Sequence, residues 1–233
     1  GWVADASPFC LKLLSYLVAS NATFKYNNIL SKTKRPSNPD KKLIPFVDLG
    51  GGSGLMSDSQ LILEHLEKGK PEGDRMDKGL SAAQKATSHL LRKLVEESAY
   101  WTVGYEWRWA NKQLCKKITG PQYLDGLGVP KFMIGMAIGS GRKGTVKRAV
   151  AHGAGRHSIQ DRATMGCEDM AAMEETLVSL GEGPFVFGDK VSTIDCVLYG
   201  FTANTLYTAA VWPCDAASPP KVLEGGKFPR MLA

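Results

Sequence analysis

The sequence lacks several features that would assign it to a class at once. No apolar run approaches the roughly 20 residues that a membrane-spanning helix requires, and no signal peptide is visible. Cysteine is scarce: five residues, an odd number without paired spacing, argue against a disulfide framework and favour a reducing compartment. Internal repeats and low-complexity tracts are also missing, so the chain is expected to form ordinary globular domains.

Metal-binding and nucleic-acid-binding patterns are equally scarce. The four histidines stand apart in the sequence, so we expect no metal centre. The net charge is +6, but the basic residues are scattered, with two loose clusters at 32–42 and 142–148 that have neither interleaved aromatic residues nor a nucleic-acid motif. We interpret these clusters as solvated faces with a weak preference for anions, and expect no nucleic-acid partner.

With 43% hydrophobic residues, the chain is large enough for two modest domains. Over 1–68 the pattern predicts a β-α-β and then a β-β-α order, which is a small four-stranded sheet with helices. Its strands include a short one at 23–26 and a hairpin formed by 43–49 and 55–56. The polar segment 69–78 is predicted to be a linker, and 79–233 a helical domain that opens with a long helix over 81–111.

The stretch Ser7-Pro8-Phe9-Cys10 opens the first predicted helix, which covers 8–19. Ser7 suits the N-cap and Pro8 the first helical position, because proline has no N–H to leave unpaired there. A hydroxyl and a thiol thus lie at the positive end of a helix dipole, which favours an anion, including a thiolate. The alternative is that Ser7 only caps and Cys10 only packs. The face predicted to point to the core comprises Cys10, Leu13, Leu14, Leu17 and Val18.

Three further patterns have a structural and a functional interpretation. Ser57-Asp58-Ser59 precedes a helix over 60–67, where it can cap backbone amides or bind the ammonium and carboxylate groups of a ligand. The aromatic residues of 100–109 suit either an apolar pocket or helix packing. Asp195 stands three residues after Ser192, a capping-box spacing, and is interpreted as a structural cap.

Several motifs resemble the glutathione transferase superfamily, in particular the branch of failed axon connections proteins, which is related to metaxins. Residues 7–12 (Ser-Pro-Phe-Cys-Leu-Lys) resemble its first-helix signature, Ile44-Pro45-Phe46 its proline before the third strand, and Asp58-Ser59 its acidic-Ser pair. Similar motifs follow in the same order at 80–86, 100–109, 155–158 and 187–196. The resemblance implies an α/β thioredoxin-like N-terminal domain plus an all-α C-terminal domain.

The resemblance also implies a glutathione site along the N-terminal domain. The cysteinyl backbone of glutathione would lie against the segment that includes Ile44 and ends at Pro45, with a cis peptide expected there. Its γ-glutamyl end would bind Asp58 and Ser59, and its glycine carboxylate Lys42. No metal is implied.

The implied reaction is transfer of the glutathione thiolate to a small electrophile. The glutathione thiol would lie near Ser7, with an electrophile held by residues such as Tyr105, Trp107 or Trp109. Because Ser7 occupies the position of the nucleophile in a Cys-x-x-Cys motif, dithiol redox chemistry is not expected. Three alternatives stay open: Ser7 stabilises the thiolate, neither residue takes part, or Cys10 is itself a nucleophile.

A second hypothesis comes from a different class of protein. A chain of this fold can serve as a non-catalytic subunit of a larger assembly, as in metaxin-like relatives, because fold does not determine function. In either case we expect a cytoplasmic protein, or one at an organelle after loss of a targeting segment. The family resemblance implies a homodimer.

Overall fold

The computed structural model describes residues 5–27, 44–51, 54–124 and 130–206. The predictions that concern Lys42 and the basic cluster at 32–42 therefore lie outside the described residues. The described helices and strands are, in chain order, α1 Pro8–Ala19, β1 Phe46–Asp48, β2 Leu55–Ser57, α2 Ser59–Lys68, α3 Ala82–Lys93, α4 Lys112–Leu114, α5 Gly120–Leu124, α6 Lys131–His152, α7 Ile159–Ser179 and α8 Thr193–Leu206. Between α3 and α4 the chain continues in wider, π-helical turns over Leu94–Gly104 and Glu106–Ala110, which accounts for the long helix predicted over 81–111.

Helix α1 has the predicted limits but a different buried face. Leu11, Leu13, Tyr16 and Leu17 are buried, whereas Val18, predicted to face the core, is 69% exposed. The prediction was wrong on this side because α2 and α8 cover the side of α1 that carries Lys12 and Tyr16, away from Val18. Helix α2 packs on it through a shared apolar core, and α8 approaches it so closely that its Gly200 faces the α1 backbone.

The predicted hairpin is confirmed as an antiparallel pair in which Phe46 lies opposite Ser57 and Asp48 opposite Leu55. The predicted strand over 23–26 is wrong: residues 22–27 form no ladder with any described strand. These residues are mostly exposed, and Tyr26 bonds through its side chain, its hydroxyl donating to Asp5 at 2.7 Å. Among the described residues, the predicted four-stranded sheet is therefore a two-stranded one.

The described residues form two compact units, which we treat separately. The N-terminal unit comprises the described parts of 5–92 together with 181–204, and the helical unit comprises those of 93–180 with 205–206. Helix α8 thus contributes to the core of the N-terminal unit, which consists of Leu13, Tyr16, Leu17, Ile62, Leu63 and Cys196. The boundaries 1–68, 69–78 and 79–233 stay a prediction.

Two carboxylates secure the start of α8 within the N-terminal unit. Asp77 accepts hydrogen bonds from the backbone N–H of Thr193 at 2.8 Å and from its hydroxyl at 2.6 Å. Asp195 accepts from the N–H and hydroxyl of Ser192 at 2.8 and 2.6 Å, and from the N–H of Val186 at 2.7 Å. Asp195 therefore has the structural role inferred from its spacing. Because Asp77 lies in 69–78, the segment predicted to be a linker is bound to this unit.

The helical unit is held together by close packing of α7 on the turns of Leu94–Gly104. Gly166 of α7 permits this approach, since a Cβ there would lie 2.8 Å from a methyl carbon of Val103. Nearby, Asp169 accepts hydrogen bonds from Ser98 at 2.7 Å and Thr102 at 3.0 Å, and burial raises the pKa of its carboxyl. Within the described residues, no helix is long and apolar enough to cross a membrane.

Replacing Gly200 tests the contact between α1 and α8. A Cβ at this position would lie 2.7 Å from the backbone nitrogen of Lys12 and 2.8 Å from the carbonyl oxygen of Pro8. We expect Gly200→Ala to lower the free energy of unfolding by about 1–3 kcal/mol, because two backbones must move apart. The measurement is urea denaturation followed by circular dichroism.

The matched control is Gly144→Ala on α6, where a Cβ would meet no atom within 4 Å. Glycine within a helix loses more conformational entropy on folding than alanine does. This substitution should therefore raise the free energy of unfolding by about 0.5–1 kcal/mol. Equal effects of the two substitutions would contradict the close α1–α8 approach.

Candidate functional site

A cluster of polar side chains surrounds the first turn of α1. The Ser7 side chain is almost fully buried, with only 4% of the residue exposed, and its oxygen accepts a hydrogen bond from the N–H of Cys10 at 3.4 Å. The N–H of Ser7 donates to Asp5 at 2.7 Å, and the Tyr26 hydroxyl donates to the other oxygen of the same carboxylate at 2.7 Å. We call Asp5, Ser7, Cys10 and Tyr26 the α1 polar cluster. Asp5 and Tyr26 were not predicted from the sequence.

The electrostatics of this cluster oppose a thiolate on Cys10. Burial, and after it the negative charge of Asp5, raises the pKa of the Cys10 thiol to about 12, although its hydrogen bond with Ser7 acts in the opposite direction. The helix terminus was expected to favour a thiolate here, but desolvation and a neighbouring carboxylate outweigh that effect. Burial and Asp5 likewise raise the pKa of Tyr26. Cys10 is therefore a thiol at neutral pH.

A second group of predicted residues meets at one end of the β1–β2 hairpin. The Ile44–Pro45 peptide bond is cis, as expected. Because Phe46 pairs with Ser57, Pro45 and Asp58 flank the same strand pair and lie at the same end of the hairpin. Ser59, the first residue of α2, is buried.

Asp58 has an unusual backbone conformation, with φ at 85°. This left-handed value costs a non-glycine residue on the order of 1–3 kcal/mol and is typical of ligand-binding sites. One oxygen of its side chain accepts the N–H groups of Gln60 at 2.9 Å and Leu61 at 3.2 Å, which caps α2. Asp58 therefore holds a carboxylate at the positive end of this helix.

A buried lysine joins the start of α1 to the start of α2. The side chain of Lys12 is fully buried and donates to the side-chain oxygen of Gln60 at 2.7 Å. Gln60 in turn donates to Glu64 at 3.0 Å. This polar link holds the helix that begins at Ser7 beside the helix that begins at Ser59. The motif at 7–12 includes Lys12 but gave no indication that its side chain is buried. The Asp-x-Ser spacing of Asp5 and Ser7, in contrast, does suggest a local side-chain-to-backbone turn.

The residues predicted to hold an electrophile lie in the helical unit. Tyr105 is buried, with its ring centre 5.7 Å from the Arg162 guanidinium and 6.3 Å from the ring of Trp101, so helix packing accounts for it. Trp109 is half-buried beside Tyr123, at 5.7 Å between ring centres. The side chain of Trp107 is outside the described part of the structure, as is Lys42. In the ranges that are described, no three His, Cys, Asp or Glu side chains are arranged to hold a metal ion.

A hairpin preceded by a cis-proline, followed by a capped helix and packed on a first helix with Ser at its N-cap, is the arrangement of a thioredoxin-like domain. Two family models match the chain: the glutathione S-transferase N-terminal domain over 8–114 and the glutathione S-transferase C-terminal domain over 166–223. The chain belongs to the glutathione transferase superfamily and has its architecture, an α/β thioredoxin-like domain followed by an all-α domain.

Two curated relatives are similar over most of this chain. Failed axon connections of Drosophila melanogaster is 29% identical across 233 residues, which is 97% of this chain but 52% of that protein. Isoprene-epoxide–glutathione S-transferase of Rhodococcus sp. (strain AD45) is 29% identical across 198 residues, 84% of this chain and 79% of that enzyme. The chain thus spans about half the length of the first relative. No solved structure gave a significant match.

The protonated state of Cys10 can be tested by alkylation. At about pH 8, iodoacetamide should modify Cys10 at least about a hundredfold more slowly than the exposed Cys167, because only the thiolate reacts. Asp5→Asn should accelerate modification of Cys10, since the Asp5 carboxylate raises the pKa of that thiol. Peptide mass spectrometry measures both rates in the same sample. A Cys10 rate that reaches its plateau below about pH 9 would contradict this assignment.

Proposed function

We propose that the chain is a glutathione transferase, which binds glutathione in its N-terminal unit and transfers the thiolate to a small electrophile. The observation that supports it best is the backbone of Asp58, held at a φ of 85° across the hairpin end from Pro45. Cap residues do not need this conformation, so a ligand that uses the carboxylate would explain why the strain is kept. The relative named isoprene-epoxide–glutathione S-transferase supports the same function.

In this proposal the two ends of glutathione bind to different elements. Asp58 contacts the γ-glutamyl ammonium group, while Ser59 contacts its carboxylate. The backbone beside Ile44 and Pro45 pairs with the cysteinyl residue. Lys42 contacts the glycine carboxylate. These contacts orient the thiol towards the N-terminus of α1.

Ser7 is proposed to stabilise the thiolate. Its hydroxyl would turn from Cys10 and donate to the glutathione sulfur, and the dipole of α1 adds to this effect. A free thiol titrates near 8.5, so lowering its pKa by about two units takes nearly 3 kcal/mol of differential stabilisation. The thiolate then attacks the electrophile: the sulfur–carbon bond forms as the bond to the leaving group, or the epoxide carbon–oxygen bond, breaks. The contacts of the electrophile at Tyr105, Trp107 and Trp109 stay a prediction from the family resemblance.

A non-catalytic role is the second candidate, and the α1 polar cluster favours it. A carboxylate bound to the N–H of Ser7 places negative charge where a thiolate would form. The same charge raises the pKa of Cys10. This charge would not disfavour a chain that binds glutathione as a neutral thiol, or one that serves as a metaxin-like interaction subunit, because neither forms a thiolate at this position. The similarity to Failed axon connections is compatible with either role. A cytoplasmic location and a homodimer are proposals under both.

Isothermal titration with glutathione tests the binding site. Asp58→Asn should weaken binding about 10- to 100-fold, because a hydrogen bond to a charged group contributes about 1.5–3 kcal/mol. Asn retains both the helix cap and the tolerance for a left-handed φ, so the fold is preserved. The matched control is Asp161→Asn in the capping box of α7, which should bind as the unmodified chain does. If a folded protein binds no glutathione at all, the transferase proposal is wrong.

The pKa of the thiol of bound glutathione tests whether Ser7 stabilises the thiolate. In Ser7→Ala the affinity for glutathione should be nearly unchanged, whereas the pKa of the bound thiol should rise by about one to two units because a donor to the thiolate is lost. Difference absorbance of the thiolate across a pH series measures this. Ser158→Ala, which removes the N-cap serine of α7, controls for loss of a cap. If the pKa of the bound thiol is the same in Ser7→Ala and in the unmodified chain, Ser7 does not stabilise the thiolate. The non-catalytic function is then the remaining candidate.

A further inference from the structure

Helix α6 has an unusual charge composition. Its 22 residues include five Lys or Arg and no Asp or Glu. The segments that pack against it carry little negative charge: Cys115–Thr119, Gly120–Leu124 and Ala154–Arg156 contain no acidic residue, and Glu106–Ala110 contains one, Glu106. Lys116, an exposed residue of the first of these segments, extends along α6 at Gly135. The surroundings of this helix are thus strongly basic.

The exposed side of α6 combines this charge with apolar side chains. Phe132 is 85% exposed and Met136 70% exposed, and Val150 is exposed too. With 100° per residue, these three share one face of the helix with the exposed Lys143 and Lys147. We call these five residues the α6 outer face. The opposite side, with Ile138, Thr145 and Ala149, is buried in the helical unit.

The apolar and the basic side chains of the α6 outer face lie at different positions along the helix axis, in one stripe. Phe132 and Met136, with the neighbouring exposed Met133, form an apolar end. Lys143 and Lys147 follow after about two to three turns, so the stripe extends about 27 Å from Phe132 to Val150 at 1.5 Å per residue. Large apolar side chains exposed together mark an interaction surface more often than a solvated one.

From these observations we propose that the α6 outer face binds the surface of an anionic lipid bilayer. The apolar end enters the boundary between headgroups and acyl chains, and the lysines contact the phosphate and carboxylate groups of the lipids, with their aliphatic stems along the interface. The helix would lie in the plane of the surface. The α6 outer face belongs to the helical unit and shares no residue with the proposed glutathione site.

Charge complementarity favours a lipid surface over a second copy of this chain. The α6 outer face carries lysines and no acidic residue, so two copies joined through it would leave these cations without partners in a desolvated contact. An anionic bilayer offers phosphate oxygens along the full length of the stripe and an apolar layer beneath them. A soluble polyanion would satisfy the lysines but would leave Phe132 and Met136 in water.

Vesicle flotation with the full chain tests the proposal. We expect binding to phosphatidylcholine vesicles that contain about 30% phosphatidylserine and at least tenfold weaker binding to pure phosphatidylcholine. Salt at about 0.5 M should weaken binding to the anionic vesicles severalfold, because it screens surface charge. Lys143→Glu/Lys147→Glu and Phe132→Ser/Met136→Ser should each reduce it at least about tenfold.

The matched control is Lys85→Glu/Leu90→Ser on α3, which changes an exposed lysine and an exposed leucine elsewhere and should leave vesicle binding intact. Circular dichroism verifies the fold of every variant, and glutathione titration provides a separate readout for the other site. Heparin binding without vesicle binding would overturn the proposal in favour of a soluble polyanion. A dimer that dissociates in Phe132→Ser/Met136→Ser, again without vesicle binding, would overturn it in favour of self-association.

Discussion

The close approach of α8 to α1 is the constraint on which the N-terminal unit depends. Gly200 permits it, since any side chain there would meet the backbone at Lys12 and Pro8. Once α1 is covered on this side as well as by α2, its buried arc widens to include Lys12, whose ammonium group bonds to Gln60 instead of water. That bond in turn brings the start of α1 beside the start of α2, where the candidate site residues lie.

The electrostatics around Ser7 depend on the same packing. Helix termini favour anions, but burial of Cys10 and the carboxylate of Asp5 act against a thiolate on the protein itself. A glutathione thiolate bound near Ser7 would feel Asp5 as well, so the balance between the hydroxyl, the dipole and this carboxylate distinguishes a transferase from a chain that only binds. The Asp5 carboxylate beside the N-terminus of α1 therefore bears directly on whether the proposed transfer can take place at this site.

Features that depend on neighbouring residues were predictable from the sequence. Ser7 and Pro8 specify the start of α1, the hairpin follows from two apolar runs around a glycine-rich turn, and Asp195 caps a nearby turn as its spacing indicated. The wrong predictions concern distant partners. Residues 22–27 have strand-like alternation but no described strand beside them, and Val18 is exposed because α1 is covered from other directions.

The sequence by itself determined the family, the hairpin and the local caps, because motifs and periodicity are properties of consecutive residues. The tertiary structure decided which of these residues have unusual chemistry. Tyr26 meets Asp5 across 21 positions, and Lys12 meets Gln60 across 48. It also decided that Phe132 and Met136 face solvent beside basic residues. The burial that raises the pKa of the Cys10 thiol and the exposure of the α6 outer face both depend on packing between distant segments, which no short stretch of chain encodes.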